Sequence, residues 1–183
     1  MRTKLTLVLL AISMTTLLAQ PDQRIAKTPK VNYDWRPGYV YITELTGAIG
    51  LGDTESELSK YYYGITALAG YQFSRNIKVG AGVGVHSHEE GALFPIFIDM
   101  RLSLNAQDVV PFLAGAGGIM LDFTNLNDTR IFINPSVGIK YVAANRTGVS
   151  FSTGLMVTTG GPQARKSFIN FKLGLELKGK QNP

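Results

Sequence analysis

The sequence predicts an all-β protein, an eight-stranded antiparallel up-and-down barrel that crosses a membrane. The clearest observation is the segment from Ser167 to Lys178, in which apolar and polar residues alternate almost without error. A period of two is typical of a β-strand with one apolar face. Similar segments recur along the chain, each long enough to cross a bilayer when tilted. Glycine is also abundant, at 20 of 183 residues, against a usual share of about 7%, and much of it alternates within these segments.

Residues 1–19 have the features of a secretory signal peptide: Arg2 and Lys4, then an apolar stretch, then the small residue Ala19. We expect cleavage before residue 20. The remaining chain has no uninterrupted apolar run of 18 residues or more, which excludes a spanning helix but not a spanning barrel. Export without such a helix leaves the periplasm, the surface or the outer membrane of a Gram-negative cell.

Net charge and cysteine content limit the partners and the sources of stability that the chain can have. The chain has 18 Lys+Arg and 13 Asp+Glu, and removal of Arg2 and Lys4 leaves 16 against 13, a net charge of +3. This small excess predicts no nucleic-acid partner. The chain contains no cysteine, so an exported protein of this sequence depends on a closed sheet or a core for stability, not on disulfides.

Residues 20–37 contain three prolines and no sustained period, which predicts an extended periplasmic leader. Trp35 is expected to anchor this leader at a membrane interface. A barrel follows at residues 38–178, and residues 179–183 form a short tail. We place the eight strands at about 38–51, 60–73, 77–87, 92–104, 109–123, 130–143, 148–159 and 167–178.

The predicted connections alternate in length. Those at residues 74–76, 105–108 and 144–147 are tight and turn-like. The longer ones are predicted at residues 52–59, 88–91, 124–129 and 160–166. Outer-membrane barrels have short periplasmic turns and longer external loops, so both termini are expected in the periplasm.

The alternation assigns an inner and an outer face to most strands. The fifth strand has apolar residues or glycine on both faces, so the sequence does not decide which of its residues point inward. The charged residues predicted to point into the barrel are Glu44, Lys78, Asp99, Arg101, Lys140, Lys172 and Glu176. The residues predicted to face lipid are Val79, Val83, Ile96, Ile98, Ile133, Ile139, Phe151, Leu155, Phe171, Leu173 and Leu175. Two aromatic girdles are predicted from Tyr39, Tyr41, Tyr61, Tyr63, Tyr71, Phe73, Phe94 and Tyr141, although tyrosine is common in strands generally.

An eight-stranded barrel is just wide enough for its own side chains, which argues against a porin. The interior charges are expected to pair with one another, because an unpaired charge in a narrow lumen is costly. Inward glycines, including Gly174, are expected to leave room for the longer side chains. A gated proton or ion path is the alternative interpretation of the same charges.

Residues 86–90, His-Ser-His-Glu-Glu, are the one cluster with catalytic residue types. A base, a nucleophile and an orienting group are present, but neighbouring strand residues point to opposite faces, so Ser87 should face away from both histidines. His86 and His88 share a face, yet two ligands make a weak metal signal. The acidic run of Asp53, Glu55 and Glu57 lacks the spacing of a calcium loop. We therefore predict no catalytic, cofactor-binding or metal-binding residues.

Several segments resemble the small outer-membrane β-barrel proteins of the OmpA transmembrane-domain and OmpX kind. They are residues 63–73, 79–84, 111–115, 134–140 and 168–175. The resemblance implies a membrane barrel and no catalytic residues. Two departures are that the last strand ends Leu-Glu-Leu-Lys without a terminal aromatic residue, and that the outward loops are short.

These observations predict an integral outer-membrane barrel with a structural or surface-interaction role, without enzymatic activity or an open pore. The expected partners are outer-membrane lipid, lipopolysaccharide and, during biogenesis, the barrel assembly machinery; the protein is expected to be a monomer. Two alternatives remain. One is a barrel enzyme that modifies membrane lipid, and the other is a soluble lipocalin-like periplasmic carrier with an apolar interior.

Overall fold

A computed structural model describes residues 33–51, 60–88, 91–104, 108–122, 129–159 and 166–180. They form a closed barrel in which each strand is hydrogen-bonded to its neighbours in sequence, and the first strand to the last. The strands are β1 (Gly38–Gly50), β2 (Tyr61–Gln72), β3 (Ile77–His88), β4 (Gly91–Ser103), β5 (Val109–Leu121), β6 (Arg130–Ala144), β7 (Thr147–Thr159) and β8 (Lys166–Lys178). The predicted fold class is confirmed.

Every neighbouring pair is antiparallel, including β1 with β8, where Val40 lies opposite Lys178 and Gly50 opposite Phe168. Closure matters physically because an open sheet in a bilayer exposes an edge of unpaired backbone groups. Among the described residues, no helix has the length and hydropathy needed to cross a membrane.

Both chain ends of the barrel lie at one mouth, which we call the short-turn end. There, residues 73–76, 104–108 and 145–146 connect successive strands. At the opposite mouth, the long-loop end, the connections are residues 51–60, 89–90, 122–129 and 160–165. The prediction of a longer connection between the third and fourth strands is wrong, because β3 and β4 continue to His88 and Gly91 and leave two residues between them.

The two faces of the sheet differ in polarity. Large apolar side chains cover the outside, for example Leu173 at 54% exposure and Ile98 at 65%, whereas charged side chains such as Arg101 are 5% exposed inside the barrel. A lipocalin-like carrier needs the reverse arrangement, so this alternative does not fit the fold. In β5, whose phase the sequence left open, Val110 and Met120 point inward and are fully buried.

The regular register of the sheet is broken beside two prolines. In the β3–β4 pair, Val83 lies opposite Ile96 and His86 opposite Leu93, with a break in the register between these two pairs. Continuing the register places Pro95 opposite Gly84, and proline has no N–H to donate across the ladder. The β6–β7 pair has the same kind of break beside Pro135.

Candidate functional site

The lumen is the candidate site, and its half nearer the short-turn end is built around Glu176. The Nζ of Lys78 donates to both carboxylate oxygens of Glu176, at 2.6 and 2.7 Å. The Nζ of Lys140 donates to the same carboxylate at 3.0 Å, and the Tyr33 hydroxyl also donates to it. Glu176, Lys78 and Lys140 are each at most 3% exposed. One carboxylate therefore joins its own strand, β8, to β3, to β6 and to the segment that precedes the barrel.

A second ionic group lies beside the first and is centred on Arg101. Its Nε is 2.7 Å from Asp99 Oδ1, and its Nη2 is 2.9 Å from Glu44 Oε1. The Nζ of Lys172 lies 3.9 Å from Glu44 Oε2, which is longer than a hydrogen bond. The structure thus places all seven predicted interior charges in the lumen and brings them into two adjacent groups, which together we call the charged half.

Residues 33–37, the described part of the leader, fold back into the short-turn mouth. Tyr33 is 3% exposed and packs against Val110 and Val142. Two hydrogen bonds to the backbone of Asp34 hold the segment. The Asp34 N–H donates to the Asn145 carbonyl, and the Lys178 Nζ donates to the Asp34 carbonyl. We call residues 33–37 the plug, since they cover the charged half at this mouth.

Trp35 belongs to the plug and not to an interface anchor. It packs partly buried against the cluster of Tyr33, Val110 and Val142. The Lys140 Nζ lies 5.0 Å from the centre of its ring, and the Arg75 guanidinium lies 4.9 Å from it. These cation–π distances place the ring over the lumen mouth, so the prediction of a membrane-interface anchor is wrong.

Charges also shape the plug itself. Arg36 donates to both carboxylate oxygens of Asp34, at 2.9 and 3.0 Å, and these hydrogen bonds lower the pKa of Asp34. Burial raises the pKa of Tyr33, and the negative charge of Glu176 raises it further. A neutral phenol and an ionised Asp34 are therefore the forms that hold the plug in place.

The half of the lumen nearer the long-loop end is filled mainly by aromatic and apolar side chains, and we call it the aromatic half. Tyr62 is 1% exposed and stacks on His86 with ring centres 4.7 Å apart. It also meets Phe168 edge to face at 5.3 Å, and its hydroxyl lies 3.4 Å from Met156 Sδ. The buried apolar cluster to which Tyr62 belongs also contains Ile42, Ala48, Leu68, Leu93, Phe97, Ala116, Met120 and Phe132, and it reaches the level of Glu176 at Ile42.

The aromatic half was not predicted from the sequence. Leu93 and Phe97 share a strand with outward Ile96 and Ile98, so apolar residues stand on both faces and the alternation gives no contrast. The available signal was Asp99 on the inward face, because Phe97 and Leu93 lie two and six residues before it and therefore share that face.

A small cavity separates the two halves. Its volume is about 20 Å³, and its lining includes Lys172 from the charged half and Tyr62, His86 and Met156 from the aromatic half.

Glycines allow this close packing at specific points. A Cβ added at Gly82 would lie 2.5 Å from the Phe97 ring, and one added at Gly174 would lie 2.5 Å from Ser150 Oγ. Space beside Gly174 is therefore already taken by Ser150 and by Glu44, whose Cγ would lie 3.3 Å away. These glycines accommodate neighbours and do not leave empty space.

The catalytic-type cluster is not assembled. His86 and His88 are buried in the lumen at 5% and 8% exposure, whereas Ser87 lines a groove on the outer surface with Leu45 and Ile65. Ser87 and the histidines thus lie on opposite faces of β3. Among the described residues, no three His, Cys, Asp or Glu side chains are placed to hold a metal. Residues 89–90 and the acidic run at 53–57 lie outside the described residues.

The outer surface carries the predicted apolar belt. Of the residues predicted to face lipid, ten are exposed, and Val79 is half-buried. Of the girdle residues, Tyr71 and Phe94 are half-buried and the others are exposed. Tyr39 and Tyr71 meet edge to face at 5.4 Å, as do Tyr71 and Phe73 at 5.1 Å, near the short-turn end.

Comparison with solved structures finds several chains that are similar to this one. Neisserial surface protein A superposes with a TM-score of 0.57 and 14% identity, covering 78% of this chain and 97% of that chain. A de novo designed transmembrane β-barrel gives a TM-score of 0.48 at 12% identity, over 80% and 100% of the two chains. The N-terminal barrel domain of Pseudomonas aeruginosa OprF gives 0.45 at 14%, over 78% and 100%.

No protein-family description and no curated protein matches the sequence. The likeness to Neisserial surface protein A concerns the fold, because identity is 14%. It confirms, at that level, the resemblance to small outer-membrane barrels.

Proposed function

We propose that the chain is an integral outer-membrane barrel with a structural or surface-interaction role, and that it neither conducts nor catalyses. The observation that supports the proposal is that the outer face of the barrel is apolar and the inner face is charged. Leu173, with 54% of its surface exposed, lies directly between Lys172 and Gly174, and the charges of the neighbouring inward positions are buried. Apolar side chains outside and paired charges inside are stable when the surrounding solvent is hydrocarbon.

The packing of the lumen supports the absence of a pore. At the short-turn mouth, the plug covers Glu176 through the Tyr33 hydroxyl. Deeper in the barrel, Phe97 and Phe132 face each other with ring centres 6.1 Å apart. Ions crossing the lumen would have to displace both the plug and these two rings, so we expect no steady conductance.

The proposed orientation places the short-turn end and both termini in the periplasm, after removal of residues 1–19. Its basis is the difference in connection length between the two mouths. The proposed partners are membrane lipid, lipopolysaccharide and the assembly machinery, with the barrel acting as a monomer. Because the chain has no cysteine, single cysteines at Ser74 and Asn125 provide an orientation test with a membrane-impermeant maleimide on intact cells. We expect labelling at residue 125 and protection at residue 74.

The proposal is tested by three measurements on one preparation: fractionation of the cell envelope, gel mobility before and after boiling, and conductance in a planar bilayer. We expect the protein in the outer membrane, a folded band that shifts on boiling, and no steady current. Recovery as a soluble periplasmic protein without a shift contradicts the membrane assignment. A steady current from folded protein contradicts the closed lumen alone.

Among the described residues, we find no arrangement of side chains that supports an enzymatic role. The lipid-modifying alternative requires Ser87 to reach His86 or His88, and these side chains lie on opposite faces of the wall. A Ser87→Ala variant is therefore expected to match the parent protein in any lipid-hydrolysis assay.

A further inference from the structure

The cavity between the two halves of the lumen lies at the level of both breaks in the strand register. Its lining includes Pro95, which lies at the break in the β3–β4 register. It also includes Asn134 and Met156, which lie at the break in the β6–β7 register. The regular pairing of the strands is therefore broken on two sides of the same small space.

Most of the cavity lining is apolar, but four polar side chains that suit a hydrogen-bonded occupant also border it. Thr46, Thr66, Asn134 and Lys172 all border it. The Lys172 Nζ is 3.9 Å from its nearest carboxylate oxygen, on Glu44, so this ammonium group has hydrogens to offer at shorter range. Hydroxyl, amide and ammonium groups together offer both donors and acceptors.

His86 provides an independent observation. Its Nδ1 is buried and has no hydrogen-bond partner, although the residue is only 5% exposed. A Cβ built on Gly64 would lie 2.5 Å from His86 Cδ2, so the Cδ2 edge of the ring faces β2. Nδ1 lies on the opposite edge of the ring, directed away from β2. A buried imidazole nitrogen without a partner is destabilising, and a bound hydrogen-bonding molecule would offset that cost.

We infer that the cavity is a binding site for ordered water, which links Lys172 of the charged half to His86 of the aromatic half. The volume of about 20 Å³ fits one water molecule, since roughly 10–15 Å³ of such volume is required. The Lys172 ammonium donates to the water oxygen, and the water donates to an unprotonated His86 Nδ1. The hydroxyls of Thr46 and Thr66 complete the three or so hydrogen bonds that a buried water usually makes.

Other occupants fit less well. A metal cation would be repelled by the Lys172 ammonium, and a hydrocarbon chain needs far more than about 20 Å³.

The test is water-to-protein magnetisation transfer by NMR, on the folded barrel in detergent micelles. Ala116 and Met156 line the cavity, and their methyl groups carry no exchangeable hydrogen, so a water signal on them comes from water in the cavity or from an exchanging group beside it. The Ala48 methyl is buried in the same apolar cluster but does not line the cavity, and serves as the control. We expect water cross-peaks at Ala116 and Met156 and none at Ala48. Absence of both cavity cross-peaks overturns the proposal.

Matched variants provide the second readout. Thr46→Val and Thr66→Val remove a hydroxyl without changing the side-chain size, whereas Thr43→Val makes the same change on the exposed face. We expect the two inward variants to weaken the water cross-peaks and to lower the urea midpoint of unfolding relative to Thr43→Val. If Thr46→Val and Thr66→Val raise the urea midpoint of unfolding as much as Thr43→Val does, the cavity is dry and the proposal is overturned.

Discussion

The two halves of the lumen are filled by different kinds of interaction. In the charged half, Lys78 and Lys140 both depend on the carboxylate of Glu176. In the aromatic half, Tyr62 and Phe97 depend on the shape of the rings around them. Removing one group from the charged half leaves buried charges unpaired, whereas changing the aromatic half alters packing. The stability of the charged half should be sensitive to changes of charge and tolerant of small changes in side-chain volume. The stability of the aromatic half should be sensitive to volume and tolerant of changes in charge elsewhere.

The largest effect is expected from Glu176→Gln. This substitution keeps the size of the side chain but leaves two buried lysines without their carboxylate. Breaking a buried ion pair by removing one partner costs about 3–5 kcal/mol, so we expect a loss of that order in the free energy of unfolding. Urea titration of the protein folded in lipid vesicles measures it.

The control combines Glu176→Gln with Lys78→Met, which removes one of the uncompensated charges. The double variant should be more stable than Glu176→Gln alone. Equal stability of the single variant and the parent protein would show that charge pairing does not hold this half together.

A somewhat smaller effect is expected from Leu173→Arg on the outer face. Arginine near the bilayer midplane costs about 2–4 kcal/mol in a membrane barrel, and Leu173 lies in the middle of β8 with 54% of its surface exposed. The same titration in vesicles measures the change, with Leu173→Ala as the control for lost side-chain volume. If both variants lose the same small amount, this face does not contact hydrocarbon.

Two glycine substitutions compare the halves directly. In Gly82→Ala, the new Cβ meets the Phe97 ring at 2.5 Å, and a packed ring has little room to move, so we expect a loss of about 1–3 kcal/mol. In Gly174→Ala, it meets the Ser150 hydroxyl at the same distance, which rotates easily, so we expect less than about 1 kcal/mol. Gly115→Ala is the control, because nothing lies within 4 Å of its added Cβ. A larger loss at Gly174 than at Gly82 would reverse the comparison.

The smallest effect concerns pH and the plug. Hydrogen bonds from Arg36 lower the pKa of Asp34, so this carboxylate stabilises the plug above the ordinary aspartate value of about 4. That stabilisation is lost as the pH falls through the lower value in the folded protein. The chain has one tryptophan, Trp35 in the plug, so its fluorescence should shift to longer wavelength on acidification below about pH 4.

Asp34→Asn provides the control for this titration. The variant should lack the Asp34-dependent part of the shift, because it has no carboxylate to protonate. An unchanged acid transition in Asp34→Asn would assign the shift to another group.

The contrast between the halves also explains how much the sequence could predict. Each end of every predicted strand lies within two residues of its position in the structure, because alternation and turn residues are local signals. The charged half was predicted because a residue such as Lys140 or Asp99 among aliphatic neighbours identifies the inner face. The aromatic half was missed because Phe97 or Met120 looks the same on either face, and only the register with distant strands decides.

The plug was missed for a related reason. Tyr33 and Trp35 lie in an aperiodic stretch with no local pattern. Their position depends on partners more than 100 residues away, since Tyr33 bonds to Glu176 and the Asp34 N–H to the Asn145 carbonyl.

The central claim is that the barrel faces hydrocarbon outside and encloses its charges. Its most direct test is a nitroxide scan along β8 in lipid bilayers, one cysteine at a time from Ile169 to Leu177, comparing the accessibility of each label to oxygen and to a water-soluble nickel chelate. We predict that oxygen accessibility peaks at residues 169, 171, 173, 175 and 177, with little access of the chelate to them. High access of the chelate to those same positions would mean that the apolar face meets water, and would contradict the account.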